Sequence, residues 1–244
     1  MSLSKNNLKL ITSLQQKKYR QKHKLFIAEG IKVVNELLSS DIIASHIFTT
    51  DVSLFTLSDV KVTLITEAEL KKISTLKSPN KVLGLFEIPE VKEKTTGDFI
   101  VALDGVNDPG NLGTIIRLCD WFGVSQLVCS KNTVDCYNQK VVQSTMGSLT
   151  RIPISYVDLS DFLTTTSLPV FTADMDGENV YTASLPLKAI LVMGNEANGI
   201  SDEISAIVKH KITIPRFGEI QQTESLNVAT ATAILLSEFK RGLK

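Results

Sequence analysis

The spacing of apolar residues divides the chain into alternating strands and helices. From Leu3 to Leu14 apolar residues recur at helical spacing, which predicts an amphipathic helix. Because strands then alternate with helices, we expect a mainly parallel sheet, covered on both faces, over residues 1–88. After the first helix the pattern predicts strand 25–28, helix 31–38, strand 47–48, strand 60–65, helix 67–76 and strand 82–86.

The same alternation continues over residues 98–244, after a segment of different composition. Residues 89–97 have no periodicity and are rich in charge, Pro, Thr and Gly, which is typical of a linker. We therefore predict two α/β domains, 1–88 and 98–244, joined by this linker. In the second domain the pattern predicts strand 99–104, helix 112–122, strand 126–130, helix 138–147, strands 169–174 and 190–194, helix 202–208, strand 211–214 and helix 226–241.

Composition narrows the class of protein. Of the 244 residues 43% are hydrophobic and 21% are charged, as in ordinary globular proteins. No apolar run approaches the ~20 residues of a membrane span, and residues 1–25 lack a signal peptide, so we expect a cytoplasmic protein without a membrane partner. The cysteines Cys119, Cys129 and Cys136 form no C-x-x-C motif, which favours reduced thiols over a disulfide or a metal site.

The charge distribution indicates a polyanionic partner. The chain has 26 basic and 26 acidic residues, yet residues 1–28 carry a net charge of +7 and the remainder −7. A basic end on an otherwise acidic chain favours contact with nucleic acid, although a solvated helix face would give the same pattern. The candidate RNA-binding residues of this end are Lys17, Lys18, Arg20, Lys22 and Lys24.

The first of three unusual loops lies at residues 103–117. In open α/β sheets, ligand sites form in loops beyond the carboxyl ends of strands. Asn111 is predicted to cap the helix that follows this loop. Arg117 lies among apolar residues of that helix, so its guanidinium needs a partner. Two partners remain open: Asp120 three residues later, or a bound anion such as a phosphate.

The second and third loops follow later strands. At Gly194 the absence of a side chain permits close approach of a ligand, and Ser201 is predicted to cap the next helix. Glu196 either accepts hydrogen bonds from a ligand or a nearby loop, or is an ordinary exposed side chain. In the third segment Ser225 is predicted to cap the last helix. The small residues at 229, 231 and 233 either let another segment pack close to that helix or belong to a helix that only seals the core.

Together the three segments resemble a known family. They read Asn-Leu-Gly-Thr-Ile-Ile-Arg at 111–117, Met-Gly-Asn-Glu-Ala-Asn-Gly-Ile at 193–200 and Ser-Leu-Asn-Val-Ala at 225–229. These are similar to the three motifs of the SpoU/TrmH RNA ribose methyltransferases of the SPOUT superfamily. The resemblance covers residues 98–244 and implies a parallel sheet whose carboxyl-terminal stretch forms a deep trefoil knot. The preceding residues resemble the small α/β RNA-binding domain that often accompanies it.

The resemblance implies S-adenosylmethionine as cofactor and a ribose 2′-hydroxyl of RNA as acceptor, with no metal. It assigns the catalytic site to Arg117, Asn111, Glu196, Ser225 and Asn227. Arg117 would contact RNA and stabilise charge, since Arg is a poor base at its usual pKa, and the proton acceptor stays open. A homodimer is implied, with the Arg completing a site at the subunit interface. The implied cofactor-binding residues are Thr172, Ala173, Met193, Gly194, Asn195, Ile214, Pro215, Ser225 and Leu226.

The substrate is the point on which alternatives remain. The amino-terminal domain favours ribosomal RNA, whereas transfer RNA stays open because the tRNA ribose enzymes share the three motifs. A noncatalytic RNA-binding or ribosome-assembly protein is a further alternative, and the intact motif residues argue against it. The Asn-to-Arg motif favours ribose over a base nitrogen. The segment 215–225 is longer than in compact family members, which leaves the geometry of the cofactor loop open, and Arg216 in it offers an extra RNA contact.

Overall fold

The computed structural model describes residues 3–55, 60–90, 97–218 and 225–242. Two compact units make up the chain: unit 1 is residues 1–90 with 135–150, and unit 2 is residues 91–134 with 151–244. Most of the predicted linker, residues 91–96, lies outside the described residues. The segment 135–150, predicted for the second domain, packs in unit 1.

The elements before residue 90 all belong to unit 1. In chain order they are α1 (Lys5–Ser13), α2 (Lys17–His23), β1 (Leu25–Glu29), α3 (Ile31–Leu38), β2 (Ala44–Thr49), β3 (Lys61–Leu64), α4 (Glu67–Ile73) and β4 (Val82–Glu87). The sequence analysis predicted one amphipathic helix at the start of the basic segment, and the structure has two helices there. The second ends at His23 and is followed by Lys24, which has left-handed backbone dihedrals.

The later elements alternate as predicted, with one strand and one helix that the sequence analysis missed. In chain order they are β5 (Phe99–Leu103), α5 (Pro109–Trp121), β6 (Gln126–Ser130), α6 (Gln139–Thr145), β7 (Ile154–Val157), α7 (Leu159–Thr165), β8 (Val170–Asn179), β9 (Ala189–Met193), α8 (Asp202–Ile207), β10 (His210–Thr213) and α9 (Val228–Lys240). The missed elements are β7 and α7. Every residue of β7 is half-buried, so the strand lacks the alternation that marks one buried face.

The sheet of unit 1 corrects the expectation of a mainly parallel arrangement. Its strand order is β1-β4-β2-β3, and β4 pairs antiparallel with both β1 and β2, while β2 and β3 are parallel. Strands β1 and β2 do run in the same direction, as a helical crossover requires, but β4 lies between them. Alternation of strands and helices along the chain predicts that β1 and β2 run in the same direction. It does not predict that a later strand is inserted between them.

The core of unit 1 forms between the sheet and helices α1 and α4. Ile11 of α1 and Leu14, which follows that helix, are buried with Phe48 of β2 and Leu70 of α4. On β1, Phe26 lies 4.9 Å from Tyr137 between ring centroids, so the segment before α6 packs against this strand. Apolar contacts therefore hold residues 135–150 in unit 1.

The sheet of unit 2 has the predicted parallel form. Its order is β10-β8-β9-β5-β6-β7, and every pair of neighbouring strands is parallel. The central strands β5 and β9 are buried at every position, as expected for a parallel sheet covered on both faces. Helices α5 and α9 pack together, and Phe239 of α9 lies 5.0 Å from Phe99 between ring centroids.

An insertion interrupts the pairing of β8 with β10. Lys211 of β10 pairs with Thr172, but the next residue, Ile212, pairs with Glu178, so residues 173–177 bulge from the sheet. The Lys211 amine lies 2.7 Å from the Asp174 carboxylate and ties the bulge to β10. At Gly177 an added Cβ would lie 2.5 Å from backbone atoms of Ile212, so only glycine allows the bulge to close.

Three smaller features complete the fold. All three cysteines are buried, and none forms a disulfide. Among the described residues no helix is long and apolar enough to cross a membrane. Within the same ranges no group of three or more His, Cys, Asp or Glu residues could hold a metal ion.

Candidate active site

Side chains from the three motifs meet at the carboxyl ends of β5 and β9. The Asn111 amide donates a hydrogen bond of 2.9 Å to the Glu196 carboxylate, and the Asn227 amide donates one of 2.9 Å to the Asn111 carbonyl oxygen. The side-chain oxygen (Oδ1) of Asn227 accepts hydrogen bonds from the backbone N–H groups of Ala229 and Thr230 at the start of α9. Because this cap fixes Asn227, it also fixes the direction of both amide hydrogen bonds. We call Asn227, Asn111 and Glu196 the amide chain.

The Glu196 carboxylate is held in its ionised form. Loss of part of its hydration raises the pKa of Glu196, but the hydrogen bond from Asn111 and backbone N–H donors, including those of Asn107 and Asp108, outweigh this and lower it. The two backbone donors lie 3.2 Å from the carboxylate oxygens. With its oxygens engaged by these donors, Glu196 positions the loop after β5 and is a poor proton acceptor.

Two helix caps differ from those predicted. Helix α5 begins two residues before Asn111, and Asp108 caps it by accepting a hydrogen bond of 2.9 Å from the Asn111 N–H. Pro109 at the first helical position could have indicated this start, since proline is favoured there. Helix α9 is capped by Asn227 and not by Ser225. The first shift leaves the Asn111 side chain free to join the amide chain, and the second fixes the Asn227 side chain within it. The predicted cap at Ser201 is confirmed.

The loop after β9 closes on itself beside the amide chain. Asn195 and Gly199 exchange backbone hydrogen bonds of 2.8 and 2.9 Å, and Gly199 has φ +68°. An added Cβ at Gly194 would lie 2.3 Å from the Gly199 carbonyl carbon. The segment that approaches Gly194 is thus the protein's own backbone. The Asp104 carboxylate, missed in the sequence, accepts a hydrogen bond of 2.7 Å from the Ser201 N–H and joins the first loop to the second.

A cavity of about 460 Å³ lies next to the amide chain. Its volume falls within the range of small-molecule sites. The wall is apolar where β10 and α9 contribute Ile212, Val228 and Leu235, and it carries the carboxylates of Asp174 and Glu196. Among the predicted cofactor-binding residues, those that line it are Ala173, Met193, Gly194, Asn195, Ile214, Ser225 and Leu226. Thr172 and Pro215 do not line it, and Thr172 is buried.

The structure does not bring Arg117 into the amide chain. Its side chain is exposed on α5, contrary to the expectation of an apolar environment. The Asp120 carboxylate, one of its two predicted partners, instead accepts a hydrogen bond of 2.8 Å from Arg151. Among the described residues no ion pair involves Arg117. Its guanidinium therefore faces solvent on the surface of unit 2.

The basic segment of unit 1 divides into exposed and buried residues. Lys17, Lys18, Lys22 and Lys24 are exposed. Arg20 is 3% exposed, and its guanidinium lies 2.6 Å from the Asp135 carboxylate and 2.9 Å from the carbonyl oxygens of Leu14 and Gln15. Arg20 was predicted to contact RNA, but it is buried because its face of α2 packs against residues 135–150.

The fold and the site together define an α/β enzyme with a small-molecule cavity at the carboxyl ends of a parallel sheet. A family model described as the SpoU rRNA methylase family matches residues 98–237, and one described as the MRM3-like substrate binding domain matches residues 5–84. The chain therefore belongs to the SpoU rRNA methylase family.

Individual relatives agree with this membership. The chain is 30% identical over 238 residues to the 23S rRNA (guanosine(2553)-2′-O)-methyltransferase RlmP of Bacillus subtilis, and the match covers 91% of each chain. An AdoMet-bound rRNA methyltransferase from Sinorhizobium meliloti has a TM-score of 0.87 and 31% identity, over 100% of this chain and 98% of that one. A TrmH-family protein from Porphyromonas gingivalis has a TM-score of 0.88 and 37% identity, over 98% of each chain.

Proposed function

We propose that the protein transfers a methyl group from S-adenosylmethionine to a ribose 2′-hydroxyl of ribosomal RNA, in the cytoplasm. The observation that carries this proposal is the amide chain, which joins one residue from each of the three motifs beside the cavity. The relatives named above as rRNA methyltransferases support ribosomal RNA over transfer RNA as the acceptor.

The cavity fits the proposed cofactor. Its apolar wall suits the adenosine portion, and the ionised Glu196 on its wall favours a cationic ligand. Met193, Ile214 and Leu226 line it and would hold the cofactor through apolar contact and backbone groups. When bound, S-adenosylmethionine supplies an electrophilic methyl group on a positively charged sulfur.

The residues of the chain then position the acceptor and stabilise charge. The amide chain holds the loops after β5 and β9 and the start of α9 in one arrangement, and such positioning contributes several kcal/mol to transfer. The guanidinium of Arg117 stabilises negative charge that develops on the 2′-oxygen. Glu196 stays ionised and accepts hydrogen bonds from three donors, so we infer that the proton leaves to a group outside the amide chain.

We further infer that Arg117 acts on the site of a second subunit in a homodimer. In support, its side chain is exposed and lies outside the amide chain and the cavity wall of its own unit. The threading of the carboxyl-terminal stretch as a trefoil knot is also proposed. The buried Ala229 and Thr232 on α9, which allow close packing, support it, and a crystal structure traced through α9 would test it.

The direct test is methyl transfer to unmodified 23S rRNA with labelled S-adenosylmethionine, followed by mapping of the modified nucleotide. We expect one modified ribose. We expect Arg117→Ala to lower the transfer rate by at least about 100-fold, the usual cost of removing one charge-stabilising group. Cofactor affinity should stay within about twofold. Lys188→Ala, which removes an exposed cation paired with Asp98 in the same unit, serves as the control. Methylation of a base, or wild-type turnover by Arg117→Ala, would contradict the proposal.

Mixing two inactive variants tests the shared site. If Arg117 acts across the dimer, a heterodimer of Arg117→Ala and Asn227→Ala contains one intact site. Random exchange of subunits should then restore about a quarter of wild-type activity. If Arg117 acts within its own subunit, both sites of the heterodimer lack a residue and the mixture stays inactive.

A further inference from the structure

An aromatic pair on the surface of unit 2 has no role in the proposed chemistry. Phe217 is 81% exposed, and its ring centroid lies 6.1 Å from that of Tyr181, which is 38% exposed. Aromatic pairs prefer centroid separations of 4.5–7 Å, so the two rings are in contact. Exposure of so much of the phenylalanine ring to water is unfavourable in free energy, and a bound partner that covers the ring would remove this cost.

The fold places this pair beside the cavity. The Val180 N–H donates a hydrogen bond of 2.9 Å to the carbonyl oxygen of Thr213, so the chain before Tyr181 runs along the chain before Phe217. Ile214, three residues before Phe217, lines the cavity. The guanidinium of Arg216 lies 3.7 Å from the sulfur of Met175, which lines the cavity as well.

We propose that Phe217 and Tyr181 form a stacking platform for an unpaired base of the RNA, next to the nucleotide that is methylated. The inference rests on the proposed function, since it specifies how the RNA is held at that site. Aromatic side chains bind single-stranded RNA by stacking on bases, and a neighbouring Arg adds a contact to phosphate or base. Asp176 and Glu178 are exposed on the adjoining bulge and strand. This surface therefore suits the uncharged face of a base better than a run of phosphates.

The first measurement is the KM for unmodified 23S rRNA in the methyl-transfer assay. Phe217→Ala should raise it roughly 5- to 100-fold, equivalent to about 1–3 kcal/mol at 1.4 kcal/mol per tenfold change. Phe217→Trp should restore it, because tryptophan also stacks. The affinity for S-adenosylmethionine, measured by calorimetry, should change less than twofold. Leu187→Ala, which removes a side chain 52% exposed in the same unit, is the matched control and should leave the KM unchanged.

A second measurement separates base stacking from charge. The wild-type protein should bind a ten-nucleotide oligoadenylate several-fold more tightly than an abasic oligomer of the same length, and Phe217→Ala should lose this preference. Arg216→Gln should weaken binding of both oligomers and reduce the salt dependence of binding by about one ion.

Several outcomes would overturn the platform while leaving the proposed function intact. One is an unchanged rRNA KM in Phe217→Ala. Another is weaker cofactor binding with unchanged rRNA KM, which would assign Phe217 to the cofactor. A third is a change of oligomeric state without an effect on RNA, which would assign it to an interface between copies. Failure of the wild-type protein to methylate any ribose would instead overturn the proposed function itself.

Discussion

At the scale of single residues, the site depends on close backbone approach and on fixed amide orientation. Gly194 illustrates the first, because the backbone at Gly199 occupies the space that a side chain would need. Asn227 illustrates the second: its carbonyl oxygen caps α9, so its amide can only donate toward Asn111. Both effects depend on backbone groups: the Gly199 carbonyl in the first case and the N–H groups at the start of α9 in the second.

Replacing Gly194 by alanine should disturb both stability and cofactor binding. The added Cβ would lie 2.3 Å from the Gly199 carbonyl carbon, so the loop after β9 must shift. We expect the free energy of unfolding to fall by about 1–3 kcal/mol and the affinity for S-adenosylmethionine to fall with it. Gly218→Ala is the control, since no atom of the residues that the structure describes lies within 4 Å of its added Cβ. Equal effects of the two substitutions, measured by urea unfolding and calorimetry, would contradict this account.

The sequence predicted most of the site at this scale. The residues of the amide chain were identified from the three motifs and their resemblance to a family, and seven of the nine predicted cofactor-binding residues line the cavity. The surroundings of Arg117 and Arg20 were predicted wrongly because the sequence does not reveal which face of a helix is covered. Arg117 lies among apolar neighbours in sequence but is exposed, whereas Arg20 lies among lysines but is buried.

At the scale of elements, the sheet of unit 1 contains a titratable group that the sequence did not single out. His46 of β2 is 8% exposed, hydrogen-bonds the Thr63 hydroxyl of β3 at 2.8 Å, and stacks on Phe48 at 4.1 Å. Burial, with a smaller contribution from the charge of Lys61, lowers the pKa of His46 to about 4. The imidazole thus joins β2 to β3 in its neutral form.

This histidine should make the stability of unit 1 depend on pH. Between about pH 6.5 and pH 4 the unfolded chain binds a proton at His46 and the folded chain does not. The free energy of unfolding should therefore be greatest above pH 6.5 and fall as the pH drops toward 4. His46→Gln should flatten this slope, while His23→Gln, at an exposed position of α2, should keep it. Parallel slopes in the wild type and His46→Gln, measured by chemical unfolding, would contradict the assignment.

Element boundaries were predictable where periodicity was strong and unpredictable where tertiary contacts decide. Strand β6 and helix α3 were predicted to the residue. Strand β8 was predicted to end at residue 174 because four of the next five residues are polar or glycine, yet it continues to Asn179 through the bulge. The position of β4 between β1 and β2 depends on long-range pairing, which no local pattern encodes.

At the scale of the whole molecule, the chain passes between the two units three times. The crossings follow residues 90, 134 and 150, so unit 1 contains one segment from within the family's methylase region. A buried ion pair between Arg20 and Asp135 holds that segment in unit 1, as does the hydrogen bond from Gln139 to the buried Glu29. The sequence placed the boundary at the linker because that segment lacks the periodicity of the residues on either side of it.

Cutting the chain at the linker should therefore not release its amino-terminal part. With a specific protease site introduced at residues 91–96, we expect the two fragments to elute together in gel filtration. Arg20→Ala leaves the Asp135 charge without its partner, a loss worth about 3–5 kcal/mol when a buried pair is broken. This variant should release the fragments, and Lys22→Ala, exposed on the same helix, should not. Separation of the wild-type fragments would contradict the assignment of residues 135–150 to unit 1.

The interleaved path also bears on how such enzymes can be recombined. A chimera that exchanges only residues 1–90 would pair a new β1 and α2 with the old residues 135–150, and so place a foreign partner opposite Asp135 and Gln139. The segments that must be inherited together are those that share the buried contacts. Unit 1 is therefore transferable only as a set of two segments, although they are about 45 residues apart in the chain.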